Sequence, residues 1–227
     1  MVYYPITTLK LAGVTEILVI TTPKDAPLFE KLLGDGWQWG LSIQYAVQDQ
    51  PKGIADALLI GERFIGQENV MLMLGDNIIF GDVLGRSLQR LTNPTGATIF
   101  AYRVANPSDY GVVSIDQSGM VVSIEEKPAK PTSKYAIPGV YFYDNRAIQF
   151  AKELTPSGRG ELEITDLNKR YLELGELAVE VLSQGTVWMD MGSIDGLTEA
   201  SEFVRVVQSR QGIKIGDPGL VSNPELP

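Results

Sequence analysis

The sequence predicts one α/β domain built on a mostly parallel, mixed sheet flanked by helices, with a small antiparallel extension. Three observations predict it. The first half alternates short β-branched runs with amphipathic stretches, which implies parallel strands joined by right-handed helical crossovers. The middle breaks into short strands separated by tight loops, the mark of a meander. No repeat, low-complexity tract or linker divides residues 1–227, a length that buries a core without a disulfide or metal staple.

Each element has a local reason. Residues 16–22 (EILVITT) form a β-branched run stopped by Pro23, as in a strand covered on both faces. Residues 25–33 have helical spacing and end at Gly34, so Gly34-Asp35-Gly36 reads as helix termination. Residues 41–47 (LSIQYAV) are the next strand, and 54–64 carry Ile54, Ala57, Leu58, Gly61 and Phe64 at helical spacing, closed by Gly66. Residues 70–74 (VMLML) form a third strand, running into Gly75-Asp76-Asn77. Residues 82–91 read as a helix and 97–104 as a fourth strand. The meander follows at 111–115, 120–125 and 139–143, with Pro128 and Pro131 in the loop between the last two. Helical patterns return at 145–154, 164–174 and 194–208, with short strands at 177–182 and 186–189. The tail from Gly216 is rich in Pro and Gly and reads as extended.

Composition narrows the chemistry. With 19 Lys+Arg against 28 Asp+Glu, the net charge is −9, which argues against nucleic acid and against an anionic membrane surface. No apolar run approaches the length of a membrane span, and no export signal opens the sequence, so a cytoplasmic location is expected. There is no Cys and no His. Thiol nucleophiles, thiolate metal sites and the Ser-His-Asp arrangement are therefore excluded. What remains is carboxylates, Lys, Arg, Tyr, backbone amides and hard, oxygen-binding metal ions.

Neither G-x-G-x-x-G after a strand nor G-x-x-x-x-G-K-[ST] occurs. Ligands of open α/β sheets bind beyond the carboxyl ends of the strands, and three segments reach that edge. Asp76 follows the most apolar strand, behind Gly75; it reads either as an Mg²⁺ ligand or as part of a Gly-Asp-Asn turn. Asp190, before Met191-Gly192-Ser193, reads as a second ligand or as a helix-start residue. Two carboxylates on separate strand ends suit Mg²⁺ bound to phosphates. Glu125-Glu126-Lys127-Pro128 reads as a solvated ion pair, or as a carboxylate for sugar hydroxyls beside a lysine for phosphate. The amide of Gln48 suits the edge of a pyrimidine base. Tyr141, Tyr143 and Trp188 read as core or wall aromatics.

Taken in order, the segments resemble the glucose-1-phosphate thymidylyltransferases, a family of bacterial sugar nucleotidyltransferases. The resemblance runs from Tyr3-Tyr4-Pro5 to Gln211-Gly212-Ile213-Lys214. Its motifs are Leu11-Ala12-Gly13, Ile20-Thr21-Thr22-Pro23, Leu74-Gly75-Asp76-Asn77, Asp109-Tyr110-Gly111-Val112-Val113, Glu125-Glu126-Lys127-Pro128, Gly139-Val140-Tyr141-Phe142-Tyr143-Asp144, Gly160-Glu161-Leu162-Glu163-Ile164-Thr165-Asp166 and Trp188-Met189-Asp190-Met191-Gly192.

The resemblance implies a Rossmann-like nucleotidyltransferase fold, Mg²⁺ dependence and a homo-oligomer, tetramer or dimer. It implies dTTP and glucose 1-phosphate as substrates, joined by in-line attack of the sugar phosphate on the α-phosphorus with loss of pyrophosphate. Carried over by position, Gln48 and Gly53 hold the base, with Asp76 and Asn77 also on the nucleotide. Asp76 and Asp190 bind the metal. Tyr110, Gly111, Glu126, Lys127, Ile137, Tyr141, Arg159 and Trp188 form the sugar-phosphate pocket, and Asp76, Asp190 and Lys127 act in catalysis.

The sequence departs from the family in four places. It starts after the family's first strand, its Gly-x-Gly-Thr-Arg loop and the lysine that follows, so the chain is expected to be N-terminally incomplete. It has Pro138 where Thr is common, and Met191-Gly192-Ser193 where Thr-Gly-Thr is common. It also stops short of the family's last helices. The absent strand is expected mid-sheet, beside 16–22 and 70–74, leaving residues 1–227 weakly stable and barely active. A catalytically silent sugar-nucleotide-binding or regulatory protein is the alternative. A glycosyltransferase of similar fold is disfavoured, because no D-x-D occurs.

Overall fold

The computed structural model describes residues 1–81 and 84–221. The chain opens with helix α1 (Tyr3–Leu11), which tolerates Pro5 in its first turn, where that amide has no helical partner. Strand β1 (Glu16–Thr21) follows, then α2 (Ala26–Leu33), ended at Gly34, and β2 (Ser42–Val47). The helix expected over 54–64 is two short ones, α3 (Asp56–Ile60) and α4 (Glu62–Ile65), joined at Gly61. Strand β3 (Val70–Met73) leads through Asp76 into β4 (Asn77–Phe80), a strand that the sequence pattern does not predict. Helix α5 (Leu84–Arg90) stands where a helix over 82–91 is expected; Asp82 and Val83 lie outside the described residues.

The meander is present as β5 (Ala97–Arg103), β6 (Gly111–Ile115), β7 (Val121–Glu126), the unexpected two-residue β8 (Tyr135–Ala136), and β9 (Val140–Tyr143). Then come α6 (Arg146–Glu153), α7 (Ile164–Glu173), β10 (Leu177–Val181), β11 (Val187–Asp190) and α8 (Ile194–Gln211), whose N-cap Ser193 accepts from the Gly196 amide. The tail is not simply extended. It makes a short helical turn over Pro218–Leu220, and the Lys10 ammonium donates to the Pro218 carbonyl.

The α/β class holds. The strands form a seven-stranded sheet in the order β3-β9-β5-β8-β6-β7 with β10 on β5, and two separate pairs, β1-β2 and β11-β4. Strands β3, β5 and β10 run in one direction, because β9 is antiparallel to both β3 and β5 while β10 is parallel to β5. The expected parallel direction is thus kept, but the insertion of β9 makes its ladders antiparallel. No 227-residue linear reading places β9, which arrives about seventy residues after β3 in the chain.

The alternation of β9 explains its place. Tyr141 and Tyr143 face one core with Leu58, Leu167 and Tyr171, while Val140 and Phe142 face another with Phe100, Leu88 and Trp188. A strand apolar on both faces belongs mid-sheet. Among the described residues no helix is long and apolar enough to cross a membrane.

Candidate active site

Two cavities adjoin near the carboxyl ends of β2 and β3, the first extending from there along β1 and β3. Ile54, Leu74 and Glu161 line both. The first, about 540 Å³, lies between β1 and β3 and is walled by Ile17, Leu18, Met71, Leu72 and Leu58, with Gln48, Gly53 and Gly75 at one end. The second, about 320 Å³, is lined by Tyr110, Gly111, Glu126, Lys127, Ile137, Tyr141, Arg159, Trp188, Asp190 and Asn77, among others. The structure therefore brings together the residues expected on the sugar phosphate, and separately those expected on the base.

The loop after β2 is stitched to the segment before α7. Leu162 donates its N–H to the Lys52 carbonyl at 2.7 Å, and Ala55 donates back to the Leu162 carbonyl at 3.2 Å. Gly53, between them, has φ +97°, and a Cβ there would stand 2.4 Å from the Leu162 oxygen. Only glycine lets the two segments touch. The Gln48 side chain closes the loop by donating to Asp56 at 2.8 Å and to the Gly53 carbonyl at 3.3 Å.

Asp76 and Asp190 come from different strand ends and converge. In the β11–β4 ladder Asp190 sits opposite Asn77, and Met191 donates to the Asp76 carbonyl. A Cβ on Gly192 would lie 3.0 Å from Asp190 Oδ1 and 3.2 Å from Asp76 Oδ2. The glycine leaves a cradle floored by two carboxylates, while its N–H donates to Asp190 Oδ1 at 2.8 Å. Burial raises the Asp190 carboxyl above its ordinary range, and the charge of Asp76 adds to this, against the Gly192 hydrogen bond and Lys127. Two hard oxygen ligands repelling each other across a small gap fit a divalent cation that takes its remaining ligands from phosphate and water. Among the described residues there is no cluster of three or more acidic side chains of the kind that would cage a metal alone.

In the second cavity the polar groups are held by one another. Thr165 Oγ1 donates to Glu126 Oε2 in a short bond. Arg159 is forked onto Glu163, with Nη2 at 2.9 Å from both carboxylate oxygens, and Ser157 donates to the same carboxylate. Lys127 is the one non-glycine residue with positive φ among those described, at 41°, a conformation costing about 1–2 kcal/mol for an L-residue. Its amide donates to the Tyr110 carbonyl, so the turn that aims Lys127 is held from outside. Tyr110 packs edge-on against Trp188 at 5.0 Å. Tyr141 is almost fully buried, and burial, then Glu126, pushes its phenol well above the usual range, so it stays neutral.

Asn77 differs from its expected role on the nucleotide. It is 1% exposed. Its Oδ1 accepts from the Gly139 amide at 3.0 Å and from Trp188 Nε1 at 2.7 Å, and its Nδ2 donates to Asp76 at 2.9 Å. It lies in the wall of the second cavity, away from Gln48, and braces Trp188 and Asp76. Sequence reading missed Asp56, Glu161, Glu163 and Thr165; the last three lie in the Gly160–Asp166 motif, from whose neighbourhood only Arg159 was singled out.

A mixed sheet whose strand ends present paired carboxylates beside two adjoining cavities suits a nucleotidyl transferase. The family model described as Nucleotidyl transferase matches residues 1–206, and the chain belongs to that family. It is 55% identical over 218 residues to a glucose-1-phosphate thymidylyltransferase of Mycolicibacterium smegmatis, covering 96% of this chain and 76% of that protein. It is 53% identical over 216 residues to the enzyme of the same name from Neisseria meningitidis, covering 95% and 75%. The crystal structure of a Bacillus anthracis protein described as a glucose-1-phosphate thymidylyltransferase, in complex with sucrose, superposes with a TM-score of 0.82 at 37% identity, over 90% of this chain and 82% of that one. A UDP-glucose pyrophosphorylase bound to UDP-glucose shares the fold at a TM-score of 0.78 and 22% identity, over 90% of this chain and 86% of that one.

Proposed function

We propose that this protein transfers a thymidylyl group from dTTP to glucose 1-phosphate, giving dTDP-glucose and pyrophosphate, with Mg²⁺ at Asp76 and Asp190. The observation that carries the reading is the convergence of those two carboxylates on Gly192, beside a cavity with the makings of a sugar-phosphate pocket. A sugar-phosphate oxygen forms a bond to the α-phosphorus as the α–β phosphoanhydride bond breaks and pyrophosphate leaves. That reaction needs alignment and charge neutralisation rather than a protein nucleophile, which suits a chain without His or Cys. When bound, the metal supplies positive charge to the phosphate oxygens. Glu126, oriented by Thr165, accepts from sugar hydroxyls; Lys127 meets the sugar phosphate; Ile137, Tyr141 and Trp188 form the walls; Gln48 and Gly53 border the base.

Residues 1–227 read as one nucleotidyltransferase domain with room for one more strand in its sheet. Among the described residues β1 pairs only with β2, and β3 only with β9, so their free edges flank the 540 Å³ cavity. Unpaired edges against apolar walls favour an added strand. A cytoplasmic location and a homo-oligomer complete the reading, the latter supported by the exposed Ile194 and Leu197 of α8.

One observation favours the catalytically silent alternative for residues 1–227 alone. The second cavity has Asp109, Glu126, Glu161, Glu163 and Asp190 against only Lys127 and Arg159, and Arg159 is already forked onto Glu163. Calorimetry with each ligand and a pyrophosphate-release assay test both readings. Expected are metal-dependent dTTP binding, glucose 1-phosphate binding, and pyrophosphate release that requires both ligands and the metal. Failure to bind glucose 1-phosphate would overturn the assignment. Binding of both ligands without turnover would favour the silent alternative, whereas turnover would direct attention to Lys52, Lys127 and Arg159 as the phosphate-neutralising groups.

A further inference from the structure

We infer that Asp56 is a positioning residue that fixes which end of the Gln48 amide meets the nucleobase, and thereby selects bases that offer an N–H there. The inference rests on the proposed reading that the end of the first cavity beside Gln48 and Gly53 borders the nucleobase. Gln48 Nε2 lies 2.8 Å from Asp56 Oδ2 and 3.3 Å from the Gly53 carbonyl oxygen. A carboxylate and a backbone carbonyl offer only acceptors, so the amide end that meets both must be the NH₂. The reverse orientation would set Oε1 against two lone-pair-bearing oxygens. The chemistry of the partners, not an arbitrary choice between similar atoms, decides the orientation.

Both amide hydrogens are spent in this way. What Gln48 can offer a ligand is therefore Oε1, an acceptor, to which no group among the described residues donates. Gln48 is half-buried and lines the first cavity, so the free oxygen belongs to a surface that a ligand can reach. A thymine or uracil ring carries an imide N3–H and can donate to it. Cytosine carries a lone pair at N3 and meets oxygen with nitrogen, a mismatch. Asp56 reaches the amide because it is the first residue of α3, and the loop between is fixed by Gly53 against Leu162. Removing its carboxylate leaves only the long bond to Gly53 and lets the amide turn its NH₂ outward, toward a cytosine N3.

The test is calorimetric binding of dTTP, dUTP and dCTP, with Mg²⁺, to the full chain and to Asp56→Leu and Asp56→Asn, with glucose 1-phosphate binding as the measure of an intact fold. The original chain is expected to prefer dTTP and dUTP over dCTP by about tenfold or more, the value of one satisfied against one opposed hydrogen bond. In Asp56→Leu that preference is expected to fall to within about threefold, with glucose 1-phosphate affinity unchanged. Asp56→Asn keeps one acceptor but also brings a donor, so its preference should fall between the two. An equal loss of affinity for all three nucleotides, with the preference intact, would show that Asp56 only closes the loop and would overturn the inference. An unaltered preference in Asp56→Asn together with an unfolded Asp56→Leu would overturn it too. If the original chain binds none of the three, the reading of the cavity itself fails, an outcome distinct from either.

Discussion

The two cavities are built by opposite means. The one between β1 and β3 is walled largely by aliphatic side chains and free strand edges, and at its polar end the Gln48 amide is locked by Asp56. The other is walled by side chains that hold one another: Thr165 on Glu126, Glu163 on Arg159, Asn77 on Trp188 and on Gly139. The difference teaches where preorganisation lies. A site whose polar groups are fixed before the ligand arrives loses little on binding. An apolar slot with unpaired edges has no such internal order and takes its shape from what fills it.

The sharpest break of that comparison falls on the carboxylate pair between the cavities. Asp190→Ala, or Asp76→Ala, is expected to lower metal-dependent pyrophosphate release by about 10²–10³ or more, the scale for one charge-stabilising group. The melting temperature should barely move, because removing one carboxylate also removes a like-charge repulsion. A stopped or coupled assay over a Mg²⁺ titration, run beside a thermal melt, reads both. A large fall in melting temperature would mean the pair is structural.

Asn77 should behave in the reverse way. Asn77→Ala strands the Gly139 amide and the Trp188 indole N–H in a buried wall. Each unpaired buried donor costs roughly 1–3 kcal/mol, and each kcal/mol lowers the midpoint of a domain of this size by about 2–4 °C. A drop of roughly 4–24 °C is therefore expected by calorimetric melting. A change below about 2 °C would show that water takes over the role of Asn77.

This contrast also explains what was legible in the sequence. Periodicity located nearly every strand and helix, because β-branched runs such as 16–22 and amphipathic ones such as 145–154 carry their own signal. It gives no element over α1, and it misses β4 and β8, which are short and paired only with remote segments; nor can it place β9 between β3 and β5. Those facts belong to pairing, which a linear pattern does not encode. Among site residues, Asp76, Asp190 and Glu126 were visible as carboxylates at strand ends. Asp56 and Thr165 were not, because each acts through another side chain, and neither residue type is unusual on a helix. Asn77 is a related case: a Gly-Asp-Asn turn does not reveal that the asparagine is buried and bonded to Gly139 and Trp188.

A smaller effect separates orientation from contact on the sugar side. Thr165→Val keeps the shape of the residue and removes the hydroxyl that donates to Glu126. The freed carboxylate gains rotamers and loses its aim. The KM for glucose 1-phosphate is expected to rise about tenfold, the value of one charge-assisted hydrogen bond. The KM for dTTP should stay the same, since Thr165 does not line the first cavity. Steady-state kinetics with each substrate varied in turn decides it, and an equal rise in both constants would show that the two cavities are coupled through Glu161.

The smallest effect expected is on acid stability, at a residue that lines neither cavity. Asp144 follows β9 and accepts from the Gly96 amide, from Tyr171 and from Arg146. Burial alone would raise its carboxyl, but the hydrogen bonds from Arg146, Tyr171 and Gly96 outweigh it, and the net shift is downward. A carboxylate held below its unfolded value binds its proton more weakly in the folded state, so the unfolded chain takes up more protons in the window between the two values. The stability it contributes is whole above the ordinary aspartate range near 4, and is lost as pH falls through that range to the lower folded value. Asp144→Asn keeps much of the shape, removes the titration, and should flatten this part of the stability curve. Urea midpoints measured between pH 6 and about 3 would show the original chain falling more steeply than the variant. If the two curves fall in parallel, the acid sensitivity resides elsewhere, and the network beneath β9 is held by Arg146 and Glu176 without need of the Asp144 charge.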